Sequence, residues 1–136
     1  MQYIRFQTMQ YDAWSRQCGG IFGPADDLWC ARGPVVSPAL KELRKHLDWF
    51  NEYLEVPSHL TYRLGARGER NGVCWFQHHA ATHIQRAYAL SQILVHLRVP
   101  VRLLRTRNPG AKIWQDNHQV VALGDARLEV FAKDIH

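Results

Sequence analysis

The chain has little cysteine. Its three thiols, Cys18, Cys30 and Cys74, are an odd number and include no Cys-x-x-Cys pair. That pattern excludes a fully paired disulfide framework and the usual zinc-ribbon spacing, and it favours a reducing compartment. Each thiol also suits the ordinary role of a free cysteine, a small buried hydrophobe. Long apolar runs are missing too. No stretch approaches the roughly 20 residues that a membrane-spanning helix requires. The opening residues Met1-Gln2-Tyr3-Ile4-Arg5-Phe6 alternate and lack the basic-then-apolar layout of a secretory leader. The expected location is therefore cytoplasmic, with no membrane partner. Internal repeats, low-complexity tracts and linkers are absent as well, so residues 1–136 read as one α/β domain.

What is present is an ordinary folding composition. Apolar residues make up 46% of the chain, aromatics 11% and charged residues 21%, which argues against disorder. The net charge of +5 is unevenly spread. Between Thr61 and Arg107 eight arginines face one glutamate, a local charge of +7. Such a segment suits phosphates or acidic partners, although surface arginines that only meet solvent explain it as well.

Local patterns place the elements. Tyr3 to Thr8 alternates like a half-buried strand. The stretch from Gln17 to Pro24 reads as a loop, and Pro24 with Asp26-Asp27 suits the first turn of a short helix. Ser37 is a good N-cap, Pro38 fits the first helical position, and Leu40, Leu43, Leu47, Phe50 and Leu54 form an apolar stripe. Leu60 to Leu64 and Gly72 to Phe76 read as strands, His78 to Leu97 as a helix, and Val99 to Thr106 as a strand. That strand–helix–strand unit favours parallel pairing. After the Asn108-Pro109-Gly110 turn, Ile113 to Leu123 reads as a strand. Leu123-Gly124-Asp125-Ala126 then predicts a tight hairpin into Arg127 to Phe131. The expected fold is a two-layer α/β (α+β) sandwich, with a mixed sheet of about four to six strands and two main helices.

One set of motifs runs through most of the chain: Asp48-Trp49-Phe50-Asn51, Cys74-Trp75-Phe76, Val99-Pro100-Val101-Arg102-Leu103-Leu104-Arg105-Thr106, Pro109-Gly110, Asp116 and Gln119-Val120-Val121-Ala122. The set resembles a family of small bacterial α/β proteins of unknown function, a resemblance that implies no activity. Two shorter segments, Gly72 to Phe76 and Asn117 to Val121, resemble papain-like and transglutaminase-like thiol enzymes. In those enzymes a cysteine opens a helix and a histidine follows on a strand.

Four functional readings compete. A thiol enzyme would use Cys74 as nucleophile, activated by the following helix N-terminus, with His118 as base. The predicted hairpin would place Glu129 diagonally from His118, where it could orient the imidazole. A metal site would begin from His79 and His83, four residues apart on one helix face. A nucleic-acid surface would use Arg63, Arg67, Arg70, Arg102, Arg105 and Arg107 with Trp114, although strand alternation sends Arg102 and Arg105 to opposite faces. A non-catalytic binding or accessory module needs only an exposed patch of the kind aromatic and arginine side chains provide. The sequence favours this last reading, with an unidentified protein as partner and no cofactor; the thiol enzyme and the nucleic-acid binder follow it.

Overall fold

The computed structural model describes residues 2–12, 17–55, 72–123 and 129–136. The elements run β1 (Tyr3–Thr8), β2 (Tyr11–Asp12), β3 (Gln17–Cys18), α1 (Phe22–Cys30), α2 (Pro38–Tyr53) and β4 (Gly72–Gln77). They continue with α3 (Ala81–His96), β5 (Val101–Thr106), β6 (Ala111–Gln115), β7 (Gln119–Leu123) and β8 (Phe131–Asp134). Six strands join in the order β6-β7-β4-β1-β5-β8, and β2 pairs with β3 as a separate ribbon. The helices pack on one face of the sheet, giving the expected two-layer α+β arrangement.

Local chemistry accounts for the long helices. At the start of α2 the Ser37 hydroxyl accepts from the Leu40 N–H at 3.2 Å, and proline occupies the first turn. The stripe behind it buries Leu43, Leu47 and Phe50. α3 contributes Ala87, Leu90 and Leu94, all 0% exposed. These side chains meet Phe6, Phe76, Val101 and Leu103 from the sheet in one core. Tyr3, Val73, Trp75, Leu104 and Val120 form a second buried cluster, which strand alternation assigns to the opposite face.

The pairing of β1 departs from the sequence expectation. β1 lies between β4 and β5 and is antiparallel to both. The β4–α3–β5 unit is therefore split: its two strands run in the same direction without touching. All the pairings among the described residues are antiparallel, so the sheet is not mixed. The cause is long-range competition. A six-residue strand with Ile4 and Phe6 facing the helices fills the slot that parallel pairing would have closed.

The C-terminal strands also depart from the sequence expectation. The predicted strand from Ile113 to Leu123 is a β6–β7 hairpin, because the Asp116 side chain ends β6. Its Oδ1 accepts the backbone N–H groups of His118 and Gln119, each at 2.8 Å. β8 does not pair with β7; it pairs with β5 at the other edge of the sheet. The expected strand at Leu60 to Leu64 and the Gly124-Asp125 turn lie outside the described residues.

The end of α3 carries local strain. Val99 N–H reaches back to the Leu94 carbonyl at 2.8 Å and Arg98 N–H to Val95 at 3.0 Å, the double closure of a helix C-terminus. That closure requires a left-handed residue, and Arg98 fills it at φ 69°. Replacing Arg98 by glycine should raise stability in urea denaturation by about 1 kcal/mol. Leu90→Ala, at a fully buried position, should lower it by about 2–5 kcal/mol.

Candidate functional site

The helix-facing side of the sheet is not filled everywhere. Between β4, the start of α1 and the end of α2 lies a cleft of about 320 Å³. Phe6, Cys74, Phe76 and Gln119 come from the strands, Ile21 and Phe22 from the start of α1, and Leu54 and Glu55 from the end of α2. Alternation puts Cys74 on the same side of β4 as the core residue Phe76. Gln119 is held beside it because its Nε2 donates to the Glu55 carbonyl, which ties β7 to the end of α2.

Cys74 reaches solvent through the cleft, yet its sulfur sits in a recess crowded by protein. Burial pushes the thiol above its ordinary value; the Arg5 charge opposes this and the Asp116 charge adds to it. At neutral pH the group is a thiol, not a thiolate. The helix expected to activate it is remote, since α3 begins only at Ala81.

His118 is not its base. Cys74 pairs with Val121 and Phe76 with Gln119, so His118 lies beyond that pair, roughly 10 Å along the ladder from Cys74. Its ring stacks on His83 at 4.1 Å and 26°. Glu129 is farther still. It precedes β8, and β4, β1 and β5 separate that strand from β7, a span of about 19 Å. The Cys74–His118–Glu129 trio therefore does not assemble: the β4–β7 register separates Cys74 from His118, and β8 joins β5 instead of β7.

The imidazoles serve as fasteners. His83 is buried, donates from Nε2 to the Tyr53 carbonyl at 2.9 Å, and packs against Trp49 and Phe76. His79 precedes α3 and does not share a helix face with His83; its Nε2 donates to the Asn117 carbonyl at 2.8 Å. Together they join α3 to the end of α2 and to the β6–β7 turn. Among the described residues no group of three His, Cys, Asp or Glu side chains is placed to hold a metal.

The arginines disperse as alternation requires. Arg102 is half-buried and gives its Nη2 to Gln7 Oε1 at 2.8 Å. Arg105 is exposed, and alternation puts it on the other face; Arg107 is exposed just past the strand. Trp114 is half-buried on β6, opposite Val121. Arg63, Arg67 and Arg70 lie outside the described residues.

Sequence reasoning missed the cleft itself. Its walls come from separate segments, and only the apolar pair Ile21-Phe22 after two glycines hinted that the presumed loop is anchored in the core. No family model, no curated protein and no solved structure matches this chain.

The raised thiol gives a direct readout. Alkylation of Cys74 by iodoacetamide should be slow at pH 7 compared with an ordinary thiol. It should accelerate only as the pH rises past the usual cysteine range, and His118→Ala should leave the rate unchanged. The linkage has the matching sign. A group whose folded pKa lies above its unfolded one contributes stability in full below the unfolded value. That contribution is lost as the pH rises through the folded value, so Cys74→Ser should flatten the alkaline fall in stability.

Proposed function

We propose that this protein is a non-catalytic binding module whose receiving surface is the cleft floored by Cys74. The observation that carries the reading is a mostly apolar recess of about 320 Å³ in which the one ionisable sulfur is held neutral. Pockets for small molecules begin near this size and are lined mainly by apolar and aromatic side chains, with a few polar groups fixing orientation. Here Phe6, Ile21, Phe22, Leu54 and Phe76 supply the apolar walls, and Arg5, Gln119 and Glu55 supply the polar groups. The sequence alone favours a protein partner. The size and lining of the cleft favour a small molecule with a compact apolar body and one polar end.

The neutral thiol belongs to this reading. A thiolate in the recess would carry a desolvation cost and repel an apolar occupant. A thiol packs as a small hydrophobe and adds a weak donor. The thiol-enzyme alternative would need a base within hydrogen-bond reach of Cys74, and His118 is not within that reach.

The test is a fragment screen by two-dimensional amide NMR, using small amphiphilic aromatics and short-chain acids. Ligands should move the amides of Ile21, Phe22, Cys74 and Gln119 together, and Cys74→Phe, which fills the recess, should abolish those shifts while the fold is kept. Shifts scattered over the surface, or binding undisturbed by the filled variant, would contradict the proposal.

A further inference from the structure

We propose that the outer edge of β8 is a self-association surface, pairing antiparallel with β8 of a second copy of this chain. Among the described residues the main sheet has two edges, β6 and β8. β6 is irregular: its register with β7 shifts between Lys112 and Trp114, and a bulge of that kind spoils an edge for further pairing. β8 is regular, matching β5 residue for residue from Phe131↔Arg105 to Asp134↔Arg102. Its side chains are all exposed, Phe131 by 70% and the preceding Val130 by 38%. A phenylalanine so exposed beside an open ladder is an apolar surface with a hydrogen-bonding template attached.

Backbone parity fixes the register. Ile135 N–H donates to the Val101 carbonyl at 2.9 Å, and the Glu129 carbonyl accepts from Thr106 Oγ1 at 2.9 Å. Odd-numbered residues along β8 thus turn their backbone polar groups towards β5, and Val130, Ala132 and Asp134 turn theirs outwards. A two-fold pairing centred on Ala132 sets Ala132 against Ala132 of the second copy and Val130 against Asp134. Each of these pairs then exchanges both backbone hydrogen bonds.

The side chains agree with that register. Phe131 then lies directly opposite Lys133 of the second copy, in both halves of the pair, with the ammonium beside the ring. Glu129 occupies a diagonal on the same face and complements the same lysine. A lysine normally deters edge pairing. In a register centred on residue 133 the lysines would oppose each other directly, whereas the Ala132-centred register converts the deterrent into a contact. A four-residue ladder covers less area than a permanent dimer needs, so the association is weak and reversible.

Sedimentation velocity of the full chain over a concentration series tests this. The sedimentation coefficient should rise reversibly with concentration, and Ala132→Pro should remain monomeric. The N–H that this variant loses faces away from β5, so its circular dichroism should match that of the parent. Phe131→Ser alters a side chain already in solvent, and it should weaken association roughly tenfold by removing two ring–ammonium contacts. Lys133→Glu, which sets like charges beside Glu129, should weaken it as well. A monomer at every concentration would overturn the proposal. So would a dimer that both Phe131→Ser and Lys133→Glu leave intact.

Discussion

The insertion of β1 between β4 and β5 is the constraint on which the rest of the structure depends. β1 pairs with β5 along its full length and with β4 on its other side. It presents Phe6 to the helices and Tyr3 to the second cluster. Every later placement follows from that slot. β4 cannot close on β5, so α3 arches over β1 and buries Ala87, Leu90 and Leu94 in the shared core. β7 takes the free side of β4, and β8 is left with the free side of β5.

Function follows from the same slot. Had β8 paired with β7, the Glu129 carboxylate would have stood beside the His118 imidazole, which is still about 10 Å along the ladder from the thiol. With β1, β4 and β5 between them, the carboxylate is carried to the far edge. The histidines nearest the thiol are committed to the Tyr53 and Asn117 carbonyls and to stacking with each other or with aromatic rings. What remains around Cys74 is a mostly apolar recess, lined also by Arg5, Glu55 and Gln119, and burial there pushes the thiol above its ordinary value. The proposed binding role uses that recess as its receiving surface and asks no nucleophilic chemistry of the sulfur.

Elements set by neighbouring residues were legible in the sequence. α2 declared itself through Ser37, Pro38 and a stripe of leucines, and the structure keeps those limits within a residue. The opposite facing of Arg102 and Arg105 needed only strand alternation. The β6–β7 break was also readable in principle, since Asp116-Asn117 is a turn signal; the apolar residues on either side masked it. The partner of each strand was not legible. Gln7 meets Arg102 across 95 positions of chain, and no local pattern announces a contact of that range. The Gly124-Asp125 signal describes a turn, but it says nothing about which edge the next strand joins. The cleft was hidden for the same reason, because its walls meet only after β1, α1 and α2 have packed.

The most direct measurement of the central claim is the set of cross-strand nuclear Overhauser contacts in a uniformly labelled sample. Contacts are expected between Leu104 and Ala132 and between Leu103 and Phe6, which place β5 between β8 and β1. Contacts joining Phe131 to His118 or Gln119 would contradict it. They would put β8 beside β7 and bring Glu129 back to His118, and the strand order β6-β7-β4-β1-β5-β8 would fail.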